Sequence, residues 1–262
     1  MRRRYEEMTS TELAAETDMA AAIAVVPIAA IEQHGPHLPL GTDALIADHM
    51  IETVLGILPD DLAVTFLPVG RIGASAEHGG FAGTLDQGWR QAVEGLVAVG
   101  EGLAAAGFRR LVVVSAHGGN TPAMETAALE LRRAHGLLVA TCNWMRFGFP
   151  SGLLPDDELA HGIHGGAAET ALMLHFRPDL VRSDGLAAFP SLQAELERTS
   201  TRLRAHGRLG FGWMAGDLNP AGVVGDTRLA TAEIGRAIAA HQAEGFAELL
   251  RDVAGFDLGR LA

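Results

Sequence analysis

Arg110-Leu-Val-Val-Val-Ser115 runs directly into Ala116-His117-Gly118-Gly119-Asn120 and then into a helical pattern from about Pro122 to Ala134. An unbroken β-branched run of this kind reads as a strand buried on both faces, as in parallel sheets. The same order recurs on either side of it. Ala20 to Ile31, Ala63 to Val69 and Leu137 to Cys142 read as strands. Thr42 to Leu58, Trp89 to Ala106 and Gly166 to His175 carry apolar residues at helical spacing, with Thr42 or Asp43 available as an N-cap and Gly107 as a stop. Strands alternating with helices predict an α/β fold whose central, mostly parallel sheet is covered on both faces. Right-handed connections then gather the loops at the carboxyl edge, where such sheets bind ligands. The chain is expected to form a single domain over 1–262, with 1–19 as an N-terminal extension. Ser183 to Arg208 reads as a helical, rather polar excursion or interface element.

Composition narrows the function. A formal net charge of -12, with no basic run longer than Arg2-Arg3-Arg4, argues against nucleic acid as a partner. That short run reads as a solvated tail. No stretch reaches the ~20 apolar residues of a bilayer span, so no membrane partner is expected, and the protein is expected to be cytoplasmic. Cys142 is the one cysteine, which excludes an internal disulfide. It follows an apolar run and reads as a strand residue rather than a nucleophile.

Three polar clusters fall just after strands or at helix starts. Glu32-Gln33-His34-Gly35-Pro36-His37-Leu38-Pro39-Leu40-Gly41-Thr42-Asp43 packs two carboxylates and two imidazoles behind a buried strand. Such groups are costly there unless paired or bound to metal. Imidazole with carboxylate suits zinc, manganese or iron. Alternation along an extended segment lets Glu32 and His34 face one site, and Asp43 can bridge two ions or cap a helix. In Ser115-Ala116-His117-Gly118-Gly119-Asn120, His117 stands where a strand-end ligand should, and Asn120 can cap the next helix or hold the loop. The glycine pair has neither a phosphate-loop lysine nor GxGxxG. In His161-Gly162-Ile163-His164-Gly165-Gly166-Ala167-Ala168-Glu169, the acid lies about one turn into a helix. There it can serve the macrodipole or the site.

Together these motifs resemble the creatininase family. Glu32-x-His34-Gly-x-His37-Leu-Pro-x-x-Thr-Asp43 is similar to its first metal motif and His117-Gly-Gly-Asn120 to its second. Glu77-His78-x-x-Phe81-x-Gly83-Thr84 resembles its intervening loop, His164-Gly-Gly-x-x-Glu169-Thr170 its late helix motif, and Gly225-Asp226 through Glu233 its closing motif. The likeness runs from about residue 20 to 245. It implies a three-layer αβα sandwich, a homo-oligomer (often a hexamer in the family), and hydrolysis of a C–N bond in a cyclic or linear amide. It also implies two divalent metal ions per subunit: Glu32, Asp43 and His117 on one, and Asp43 bridging to a second that His34 also binds. Creatininase itself carries, two places after the histidine of the second motif, a glutamate that binds the second metal. This chain has Gly119 there, and the resemblance hands that ligand role to Glu169.

The expected chemistry follows. Cations that lower the pKa of water from ~16 toward ~7 give a hydroxide nucleophile near neutral pH. His164 is the expected proton donor to the departing nitrogen or, alternatively, the oxyanion partner, and Glu169 is expected to act as ligand, as catalyst or as both. Glu77, His78, His37 and Asn120 are expected to support the metal loops or touch the small-molecule amide substrate, with Trp144 and Phe147 as pocket walls or core. The competing expectations are a non-catalytic metal- or ligand-binding protein on the same scaffold, and a nucleotide-binding α/β protein whose glycines contact phosphate.

Overall fold

The computed structural model describes residues 1–261. In chain order, α1 (Ser10–Ala15), β1 (Ile23–Ile28), α2 (Thr42–Leu55), β2 (Val64–Phe66), α3 (Trp89–Ala105), β3 (Arg110–Ser115), α4 (Thr121–His135) and β4 (Leu138–Asn143) build the first half. The second half holds α5 (Asp156–His161), α6 (Ala167–Phe176), β5 (Ala188–Phe189), α7 (Leu192–Thr199), α8 (Ala215–Leu218), β6 (Gly225–Asp226) and α9 (Ala232–Gly255). The first four strands form a wholly parallel sheet in the order β2-β1-β3-β4, with Val25 opposite both Phe66 and Val112, and Val112 opposite Ala140. β5 and β6 make a separate antiparallel pair.

Side chains alternate across a strand, so β1 and β3 each feed two cores. Ile23, Val25, Val112 and Val114 pack with Ile46 and Met50 of α2, Ala171 of α6 and Phe246 of α9. Ala24, Val26, Leu111 and Val113 pack with Leu103 of α3 and with Met124 and Leu131 of α4. Helices therefore cover both faces, and the fold is the αβα sandwich that the motifs imply. Among the described residues no helix is long and apolar enough to cross a membrane.

Three local expectations need correction. The Arg2–Arg4 run is not a solvated tail. Phe66 N–H donates to the Arg3 carbonyl at 2.8 Å, and the Arg3 guanidinium donates to the carbonyls of Pro59 and Leu62. The segment lies along the free edge of β2 and satisfies backbone groups that an edge strand leaves open. Ser183 to Arg208 is only partly helical, at the single turn Ser183–Gly185 and at α7, because β5 interrupts it and the chain after Thr199 is irregular. Neither Thr42 nor Asp43 caps α2: Gly41 holds the cap position, and the Thr42 hydroxyl donates to the Pro39 carbonyl at 2.7 Å. Cys142 lies in β4, where burial pushes its thiol up to about 12, which leaves no thiolate nucleophile at neutral pH.

α6 carries Glu169, and its position depends on α9. Gly235 of α9 sits so near the Ala171 carbonyl that a Cβ would overlap it. Gly235→Ala should therefore push the two helices apart and destabilise the protein by about 1–3 kcal/mol, read as a lower midpoint in urea unfolding. An unchanged midpoint would show that this contact does not set the helix spacing.

Candidate metal centre

The chain leaves β1 toward β2 on one side and leaves β3 toward β4 on the other. The loops after β1 and β3 thus diverge and open a crevice at the switch point of the sheet. Glu32 and His34 follow β1, His117 follows β3, and Asp43 and Glu169 lie in the first turns of α2 and α6. The first loop is closed by Glu32 N–H donating to the Leu40 carbonyl at 3.0 Å. Gly35 turns it with φ +68°, and a side chain there would strike Val223 as well as strain the backbone.

The structure brings all five residues together. His117 Nδ1 lies 3.0 Å from Glu32 Oε1 and 3.6 Å from Asp43 Oδ2, and His34 Nε2 lies 3.3 Å from Asp43 Oδ1. His164 Nδ1 is 3.7 Å from Glu32 Oε1. Glu32, His34 and Asp43 are at most 1% exposed. Yet both Glu32 oxygens, His34 Nε2 and Asp43 Oδ2 lack an aligned hydrogen-bond partner among the described residues. Buried polar atoms are rarely left so. Each of the sets Glu32–Asp43–His117 and His34–Asp43–Glu169 offers three ligand atoms within 4.8 Å of one another, and Asp43 belongs to both. Glu32–His34–His164 forms a third set. Converging, unpartnered oxygen and imidazole donors fit a divalent metal ion.

The protons report the same crowding. Although burial disfavours its charge, Glu32 is held well below the usual carboxylate range by His117, His164 and His34. Burial also opposes charge on His34, but Asp43 and then Glu169 and Glu32 raise it to about 9. His117 is raised too, against burial, by Glu32 and then by Glu77 and Asp43. Burial raises Asp43, helped by Glu32 and opposed by His34. Burial, opposed by His34, also raises Glu169 to about 7. In the metal-free chain the two imidazoles serve as the carboxylates' counterions.

Around this cluster, Gln33 was not singled out by the sequence. Its amide donates to the Gly222 carbonyl at 2.6 Å and to His78 Nδ1 at 2.8 Å. His164 Nε2 donates to the Gln33 carbonyl at 2.9 Å, so Nδ1 is left as its free lone pair. Burial and then the neighbouring His34 and His78 push His164 well below the ordinary range, so the ring is held neutral with its Nδ1 toward Glu32. His37 Nε2 contacts the Gly165 carbonyl and Thr170 Oγ1 at 3.0 and 2.9 Å, linking the first loop to α6. Asn120 makes no cap and instead joins three loops: its amide donates to Ala29 O and Ser115 Oγ and accepts from Ala74 N–H. Glu77 and His78 line the basin above His117.

Trp144 takes the core alternative rather than the pocket wall. It is 1% exposed in the core against Phe147 and Phe246, away from the basin. The aromatic wall comes from Phe211 and Trp213, which the sequence reading passed over, although two aromatics around a glycine in an irregular stretch were a usable signal. Glu158 was also missed. Its carboxylate accepts from Ala167 N–H at 2.7 Å, at the start of α6, and from Asp226 N–H at 2.6 Å.

Fold and cluster together define a hydrolase-type metal site on an αβα scaffold. The chain belongs to the creatininase family, whose sequence profile, described as creatinine amidohydrolase, matches residues 6–250. It is 36% identical over 231 residues to a protein of Mycolicibacterium smegmatis named "Mycofactocin precursor peptide peptidase", covering 87% of this chain and 83% of the relative. It is 29% identical over 198 residues to a creatinine amidohydrolase of Pseudomonas putida, covering 70% and 75%. Among solved structures, "Creatininase Mn" superposes with a TM-score of 0.78 at 21% identity, covering 96% of this chain and 98% of that one. A mutant creatininase of Zn-Zn type gives 0.74 at 23% identity, with 96% and 98% covered. The structures share this fold, and the family assignment makes the chain a hydrolase.

A metal must displace the protons on His34 and His117, since a ligating imidazole is neutral. Both are raised, His34 to about 9, so loading at pH 7 should release protons, and apparent affinity should climb with pH until at least that value. Calorimetric titration of zinc in two buffers of different ionisation heat measures the release. No net release would contradict the assignment.

Proposed function

We propose that this chain is a metal-dependent hydrolase that cleaves an amide bond in a peptide substrate, using two divalent ions (zinc, manganese or iron). The carrying observation is Asp43, whose carboxylate is common to two three-residue ligand sets. Glu32 and His117 would complete one site, and His34 and Glu169 the other. When bound, such ions supply Lewis acidity and make water nucleophilic near neutral pH. The chain's own groups handle the protons and the substrate. His164, fixed through Nε2 by the Gln33 carbonyl, presents Nδ1 to accept a proton and return it to the departing nitrogen.

The peptide reading is supported by the basin and by the relatives. A basin of about 480 Å³ opens over Glu77, His78, His117 and His164, and is walled by Ile163, Phe211 and Trp213. That wall suits an apolar side chain beside the scissile bond. The 36%-identical relative named a peptide peptidase favours a peptide over creatinine, and Gly119 departs from creatininase itself at a ligand position. A homo-oligomer is part of the same reading. A second copy has an apolar groove to cover between α3 and the end of β2, lined by Leu67, Ile72, Leu96 and Val99. A single, partly buried cysteine accords with a cytoplasmic setting.

The test is amine release from a peptide panel, with creatinine and small lactams alongside. Peptide cleavage that a chelator abolishes and zinc or manganese restores is expected, without creatinine turnover. His34→Ala should lose metal and activity together, and a variant that keeps two metals per subunit would sink this reading. Trp213→Ala should raise KM for the preferred peptide about 10-fold (~1.4 kcal/mol) with kcat nearly kept, the mark of lost uniform binding. Unchanged KM would remove the wall from substrate recognition.

A further inference from the structure

Gly119 lacks a side chain, but the room beside it is filled. A Cβ at 119 would overlap Glu77 Oε1 and His117 Nε2, and would lie 2.9 Å from the Ala74 carbonyl oxygen. Glu77 reaches this point from another segment, the single turn Ala76–His78. Its Oε1 is 3.4 Å from His117 Nε2, which also meets the Ala74 carbonyl at 2.9 Å. The other ring nitrogen, Nδ1, faces Glu32 and Asp43. The imidazole is therefore held from behind by a carbonyl and a carboxylate while it presents one lone pair to the cluster. Among the described residues His117 is the sole ion-pair contact of Glu77, whose side chain is 21% exposed. A surface role would not require this carboxylate to turn inward against a buried ring.

We propose that Glu77 is the positioning residue of His117, and that glycine at 119 is the device that admits its carboxylate to the back of the ring. This inference rests on the metal-centre reading. A carboxylate behind a ligating histidine fixes the tautomer and ring orientation and raises the basicity of the ligand nitrogen, and losing such a partner typically costs ~10–100-fold in metal affinity. Glycine at 119 and glutamate at 77 thus form a linked pair, since any side chain at 119 competes for the volume that the carboxylate occupies.

The test is cobalt(II) binding by the full chain, read as Kd and as the visible d–d bands, beside metal-free urea unfolding. Glu77→Ala should weaken cobalt binding at least ~10-fold and shift the bands, with a smaller loss for Glu77→Gln and an unfolding midpoint near that of the parent. Gly119→Ala should weaken binding comparably. Its penalty should shrink in the Glu77→Ala background, where the ring can move into the vacated room, so the two losses combine to less than their product. Parental Kd and bands in both Glu77 variants would overturn the proposal, as would a KM change without any change in metal affinity, or fully multiplicative losses. Should Gly119→Ala fail to fold, the two Glu77 variants decide the matter alone. A parent protein that binds no cobalt would instead defeat the metal-centre reading itself.

Discussion

Two carboxylates, on Glu32 and Asp43, are withdrawn from water with His34 and His117 as their ion-pair partners. The chain contains no lysine at all. Removing a carboxylate from water costs several kcal/mol even after relaxation. The fold meets that cost with imidazoles that sit protonated while the site is metal-free and become neutral ligands when a cation arrives. Proton and metal compete for the same nitrogens. The neighbouring carboxylates raise His34 and His117 above their ordinary range, while burial outweighs them at His78 and His164, one layer out, and lowers both.

The surrounding structure holds these charges in place through neutral and backbone contacts. Asn120 fastens the ends of β1 and β3 to the loop at Ala74. His37 fastens the first loop to α6, and Gln33 spans from Gly222 to His78. Glu158 anchors the start of α6, where its negative charge meets the positive end of the helix dipole. The His37, Gln33 and Asn120 contacts join segments far apart in sequence, so the cluster is a product of the whole tertiary structure rather than of one loop.

Legibility in the sequence followed locality. Arg110–Ser115 was readable residue for residue because a run of β-branched residues between glycine punctuation needs no partner to declare itself, and the long helices showed in their apolar spacing. The acids and imidazoles were visible because dense charge behind an apolar strand is costly and so carries information. Gln33 was not visible, since a neutral amide leaves no charge signal, nor was Glu158, whose acceptor role depends on backbone N–H groups from two distant segments. Trp144 stayed open between core and cleft because a tryptophan after a strand looks the same in either place. The Arg2–Arg4 strap escaped notice because edge pairing with β2 is nonlocal and has no local pattern.

Trp213 belongs to neither sheet core. It packs against a small apolar cluster of Ala205, Leu218 and Val224, set apart from the residues that clamp the strands. On the proposed reading, selectivity and chemistry rest on different packing clusters, joined where Val224 N–H donates to the His164 carbonyl, so the wall can be exchanged, loosened or retargeted while the parallel strands stay as they are. Divergence within such a scaffold, natural or engineered, has an inexpensive route through residues 200–214.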